Sequence, residues 1–188
     1  MRHFIVRGFV IAFALAAAAL PAQPQQLGGR MSHWGQIWGT WVWRTGIGTT
    51  LPSLTTIHVD GTVSVSDGTM FGGIRPNSTT RLTPLHGVWE RTGWQSFGGT
   101  SLWLVFDATT GLLTSWGRVR VSAQMADDFN SFQGKAFVEY LACSTGTPVN
   151  CPDPLDPMAT WVPITGAPPD GIPISGTRVE RVPAGPLQ

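Results

Sequence analysis

A chain of 188 residues with 12 Lys and Arg against 11 Asp and Glu is close to neutral, which argues against nucleic acid or an anionic membrane surface as a partner held by charge. Lys135 is its one lysine and the arginines are scattered, so the basic residues read as structural. Gly and Pro together exceed one fifth of the chain, and the segments between them alternate Val, Thr, Trp and Phe with polar residues, the pattern of many short strands.

In chain order the first element is an export signal over residues 1–22. Arg2 and Arg7 supply a positive start, Phe9 to Leu20 carries no charge, and Leu20-Pro21-Ala22 offers a small residue for cleavage. The apolar run is short of the roughly 17–25 residues that a spanning helix needs, and no later run is longer, so stable membrane insertion is not expected. A lipid anchor would need a cysteine at the cleavage site, and the two cysteines, Cys143 and Cys151, are far from it. The expected destination is therefore secreted or periplasmic. Residues 23–36 read as a flexible lead-in, and residues 37–188 as a single β-domain.

Strands are predicted at 37–44, 54–59, 62–67, 86–92, 100–107, 112–123, 132–142 and 174–182. Eight strands favour an antiparallel up-and-down barrel, because closure removes the exposed edges that so few lysines would protect. Val59-Asp60-Gly61 fits a three-residue hairpin loop with Gly61 left-handed, which pairs Ile57 with Val63 and Thr55 with Val65 on one face. Thr56 pairs with Ser64 on the other. The loop Ala108 to Gly111 pairs Phe106 with Leu113. Carried along both strands, that register puts Leu102, Leu104, Phe106, Gly117, Val119 and Val121 inside, with Trp103, Val105, Trp116, Arg118 and Arg120 outside. In the next hairpin Gly134, Ala136, Val138 and Tyr140 fall inside, and Lys135, Phe137 and Glu139 outside. Arg118 and Glu139 then form a cross-strand ion pair.

Residues 143–173 hold repeated prolines, among them Pro152, Pro154, Pro157 and Pro163, which exclude a long helix or a central strand. Cys143 and Cys151 are expected to form a structural disulfide at its base. So long a loop is expected to cover one end of the barrel.

The sequence offers no arrangement with metal-ligand spacing. His33, His58 and His86 read as unrelated surface residues, and no metal or cofactor is expected. The strained Gly-x-Ser-x-Gly turn of a hydrolase is missing. Asp127 and Asp128 read as turn residues. Nine tryptophans, four of them at Trp34, Trp38, Trp41 and Trp43, shift the balance towards an apolar ligand. The tip Thr69 to Gly73 reads either as a gate at the barrel mouth or as ordinary packing.

Gly39-Thr40-Trp41 on the first strand and Arg178 on the last resemble the lipocalins of the calycin group. That resemblance implies a barrel whose floor is closed by Trp41 with Arg178 stacked on it, while the family's Thr-Asp-Tyr motif is absent. The string from His58 to Val63, then Ser66-Asp67-Gly68 and Gly87 to Arg91, is similar to a group of exported bacterial β-barrel proteins. The allene oxide cyclases, a related small barrel, imply an enzyme alternative.

The leading expectation is a lipocalin-like barrel that binds a small apolar or amphipathic molecule through Trp41, Ile57, Val63, Val65, Leu102, Leu104, Phe106, Val119 and Val121, with Arg178, Cys143 and Cys151 structural. The alternative is a cofactor-independent cyclase or isomerase acting on a lipid or polyketide-like substrate, with Glu90, Glu139 or Tyr140 handling protons. A third reading is a self-filled barrel whose exposed Trp103 and Trp116 form a protein interface, with a homodimer the simplest partner.

Overall fold

Alternating apolar residues punctuated by turn glycines give an all-β chain. The computed structural model describes residues 37–47, 49–68, 70, 79–144 and 149–179; the export signal and the expected lead-in lie outside the described residues. The strands are β1 (Gly39–Ile47), β2 (Thr49–Ile57), β3 (Thr62–Asp67), β4 (Thr80–Leu82), β5 (Leu85–Arg91), β6 (Ser96–Asp107), β7 (Leu113–Met125), β8 (Ser131–Ala142), β9 (Val162–Pro163) and β10 (Ile172–Arg178). Eight of them close an antiparallel barrel in the order β1-β2-β3-β5-β6-β7-β8-β10, with β10 paired to both β8 and β1. The short β4 and β9 add to the free stretches of β6 and β8. All eight expected strands are present, and among the described residues there is no α-helix.

The β2–β3 turn has the expected register, with Ile57 opposite Val63 and Thr55 opposite Val65. Gly61 takes φ +86°, a conformation that costs glycine little, and Asp60 accepts hydrogen bonds from the Thr62 amide and hydroxyl at 2.9 and 2.7 Å. The β6–β7 turn also pairs Phe106 with Leu113, closed by the Asp107 amide donating to the Leu112 carbonyl at 2.9 Å.

One residue later the register changes. Val105 pairs with Ser115, so Thr114 is an extra residue on β7, a β-bulge that reverses which face of β6 meets the inner face of β7. Gly117, Val119 and Val121 point inward as expected, but their β6 partners are Trp103, Ser101 and Gly99. Leu102, Leu104 and Phe106, expected inside, therefore lie on the outer side. Trp103 and Val105, expected outside, are 6% and 5% exposed within the barrel. The notion of an interface built on an exposed Trp103 falls with that correction.

The core has two parts. At the floor, Trp41, Trp43 and Phe97 set their rings edge-on to Phe132 at 5.6, 4.9 and 5.3 Å between centroids, a favourable geometry for aromatic quadrupoles. Phe132 lies over its cross-strand partner Gly176, where a Cβ would come within 2.0 Å of its ring. Higher up, Met70, Leu85, Trp103 and Val105 form a second buried cluster.

Cys143 and Cys151 form the disulfide. Part of the proline-rich segment that follows runs beside β8 as a strap. Its β9 pairs with β8 at Glu139 and Tyr140, the Ile164 amide donates to the Val138 carbonyl at 3.0 Å, and Trp161 stacks on Arg118 at 4.1 Å. Because β10 pairs with β8 only as far as Ala136, the strap satisfies the backbone of the remaining length.

Candidate functional site

A cavity of about 270 Å³ lies inside the barrel. Ile57 on β2, Val63 and Val65 on β3, Val119 and Val121 on β7, and Ala136 and Val138 on β8 give it an aliphatic wall, and Trp43, Trp89, Phe97, Trp103 and Tyr140 supply rings. Ile164 of the strap completes the wall beside β8. The hollow exists because small residues face it on β6, at Gly99 and Ser101, while Trp103 lies against Gly117, where a Cβ would come within 2.0 Å of the indole.

Polar groups are few. Thr45, Ser53, Asp67 and Thr80 lie towards the mouth, where β1 ends, β3 ends and β4 begins. Trp43 Nε1 and Trp103 Nε1 are covered by protein atoms and have no hydrogen-bond partner, so the indoles present carbon to the cavity. Among the described residues of this lining Asp67 is the charged one.

The expected floor lock is present. Trp41 and Arg178 are cross-strand partners, the guanidinium lies 4.5 Å from the indole centroid, and its two terminal nitrogens donate to the Trp38 and Phe129 carbonyls at 2.7 and 3.3 Å. Trp41 Nε1 donates to the Ile37 carbonyl at 2.9 Å. Partial burial pulls the Arg178 guanidinium below its ordinary pKa, an effect that leaves it cationic at neutral pH.

Of the residues expected to touch a ligand, Ile57, Val63, Val65, Val119 and Val121 line the cavity. Trp41 does not: it is 0% exposed in the floor, and Trp43, one turn of the alternation higher, takes the wall position. Leu102, Leu104 and Phe106 face away for the reason given by the bulge. Trp103, expected outside, takes a wall position instead, and Gly117 opposite it lacks the Cβ that the indole would strike.

The three candidates for proton handling are not brought together. Glu90 is exposed on the outer side of β5. Glu139 is buried on the outer side of β8, where Arg118 and Arg120 take both oxygens at 2.8 and 3.1 Å; the expected ion pair with Arg118 is present and widened to a triad. Tyr140 alone lines the cavity, edge-on to Trp103 at 6.0 Å. His58 and His86 are exposed, and His33 lies outside the described residues. Asp128 accepts from the Asn130 amide at 2.9 Å in the β7–β8 turn, as its turn role requires, while Asp127 accepts from Gln95 at 2.8 Å. Met70 is 5% exposed and packs inward; Thr69, Phe71, Gly72 and Gly73 lie outside the described residues.

Comparison with family models, with curated proteins and with solved structures finds no match to this chain.

Proposed function

We propose that the protein is an exported, lipocalin-like barrel that binds one small, predominantly apolar molecule in its lumen. The observation that carries this reading is the walled hollow of about 270 Å³ in a barrel whose floor is otherwise filled to contact. Ligand pockets commonly measure about 300–1,000 Å³, and an apolar cavity of about 150 Å³ takes benzene, so the fitting occupant is compact, about twice the size of benzene. The stacking of Arg178 on Trp41 supports the lipocalin-like reading, and the disulfide suits a secreted or periplasmic protein. Among the described residues no helix is long and apolar enough to cross a membrane.

The cyclase alternative keeps only Tyr140 of its three proton-handling groups at the cavity, which favours binding over turnover. Titration with 2-naphthol, followed by tryptophan fluorescence and native mass spectrometry, tests the proposal. Saturable one-to-one binding, lost in Val121→Phe, is the expected result. Binding that survives Val121→Phe unchanged, or no saturable binding of the naphthol, would remove the lumen as the site.

A further inference from the structure

The barrel wall is not closed evenly along its height. At the floor β10 bridges β8 and β1, but it starts only at Ile172, opposite Ala136, and its pairing with β1 reaches no further than Ile174 opposite Thr45. Towards the mouth β8 runs on from Phe137 to Ala142, and β1 through Gly46 to Ile47, without β10 between them. The wall therefore has a notch at this seam, and β9 takes the edge of β8 that β10 leaves free. Ile164, whose amide donates to the Val138 carbonyl at 3.0 Å, brings this segment to the lumen as part of its lining.

The segment from Trp161 to Gly171 turns on itself more than it grips the barrel. Ala167 donates to the Ile164 carbonyl at 3.1 Å and Gly171 to the Pro168 carbonyl at 3.0 Å, with Gly166 and Gly171 at φ +81° and +92°. The stretch leading into it does the same, the Asp156 amide donating to Asp153 at 3.2 Å and the Ala159 amide to Asp156 at 3.0 Å, and it leaves Leu155 and Met158 78% and 84% exposed. The ties to the barrel are slight. β9 sets two residues against β8, and one of them, Pro163, has no N–H to donate. Asp170 meets Lys135 at 2.6 Å in a pair open to solvent, which stabilises little. Trp161 lies on Arg118 at 4.1 Å on the outer side. Both ends, by contrast, are fixed: Cys151 by its bond to Cys143, one residue past β8, and Gly171 by burial where a Cβ would come within 3.0 Å of the Phe137 ring. Local opening costs least where buried apolar contact and backbone bonds to the rest of the fold are few, so this segment can swing while the strands it joins stay in place.

We propose that this segment is a side gate through which a ligand enters and leaves the lumen, with Ile164 as its seal and the stack of Trp161 on Arg118 as its latch; the proposal rests on the lumen being a binding site. Swung out, the segment uncovers the notch above Ala136. Arg118 keeps Glu139 as its partner at 2.8 Å when the indole leaves, so opening strands no buried charge. Trp161 is no part of the lining, and the latch therefore sets how often the gate opens without touching the bound molecule. A gate that is shut most of the time slows entry and exit by the same factor, so loosening it speeds both and leaves the equilibrium nearly where it was.

Rates of 2-naphthol binding to the full chain are measured by stopped-flow tryptophan fluorescence, and amide exchange of the unliganded chain by NMR. In Trp161→Ala, association and dissociation are both expected to quicken about fivefold or more, with the dissociation constant within about twofold of the parent. Asp170→Asn, which alters an exposed side chain and leaves the core alone, is expected to quicken both about twofold. The Ile164 amide is expected to exchange roughly tenfold or more faster than the amides bonded between β7 and β8, and faster still in Trp161→Ala. Unchanged rates in both variants while the parent binds naphthol, a dissociation constant that moves as far as the rates, or an Ile164 amide as slow as those of β7 and β8 would overturn the gate and leave the lumen site standing. Absence of saturable naphthol binding to the parent would remove the lumen as the site, and the gate with it.

Discussion

The floor of the barrel and the hollow above it use aromatic rings in opposite ways. In both, one ring lies against a cross-strand glycine, Phe132 on Gly176 and Trp103 on Gly117. What differs is the company. Trp41 and Trp43 from β1 and Phe97 from β6 converge on Phe132 and leave no room, whereas Trp103 meets the edge of Tyr140 at 6.0 Å and shares the cavity lining with valine, alanine and glycine. A glycine lets a ring lie along the wall; convergence of further rings from other strands decides whether the barrel is filled or stays open.

The largest test of that contrast is Phe132→Ala. Removing the ring on which three others rest leaves a cavity in the filled half, and a loss of about 3–5 kcal/mol is expected, read as a lower urea midpoint with an unchanged slope. A loss below about 1 kcal/mol would mean that the floor is not the stabilising half. The complementary change is Val121→Phe, which adds a ring to the open half. Because the hollow can receive it, stability should stay within about 1.5 kcal/mol of the parent. A loss as large as that of Phe132→Ala would show that no such space exists.

The floor was legible in the sequence and the hollow only partly. The pairing of Trp41 with Arg178 was what the resemblance to the lipocalins implied, and the structure sets the two side by side on the first and last strands of the barrel. The Val59-Asp60-Gly61 turn fixes its own register, since its strands alternate apolar with polar residues and any slip would mix the faces. The segment from Leu102 to Phe106 has no such alternation: Leu, Trp, Leu, Val and Phe are apolar on both faces, and nothing in them reveals the extra residue at Thr114. A single bulge therefore exchanged Leu102, Leu104 and Phe106 for Trp103 and Val105. The outer face tolerates apolar residues near here because the strap covers part of it, with Trp161 on Arg118, directly opposite Leu102. The position of the strap could not be read from its prolines, which exclude structures without specifying where the segment packs.

The smallest expected effect asks whether floor and mouth differ in their turns as they do in their cores. Asp60 closes a floor-end turn, held below the ordinary carboxylate pKa of 3.8 by the Thr62 hydroxyl and then its amide. Asp107 closes a mouth-end turn, lowered by the Thr110 amide, then its hydroxyl, then the Thr109 amide. A carboxylate depressed on folding contributes stability that is fully present above its unfolded pKa and is lost as pH falls through the folded value. Stability should thus be unaffected by these two groups from neutrality down to about pH 5, and both should release it together below about pH 4. NMR titration of the two carboxyl carbons is expected to give midpoints under 3.8 at both ends, and Asp60→Asn and Asp107→Asn should each flatten the acid limb of the melting profile. If one carboxyl titrates at its ordinary value while the other is depressed, the turns are unequal, and the difference between the two halves extends beyond their rings to the hairpins that close them.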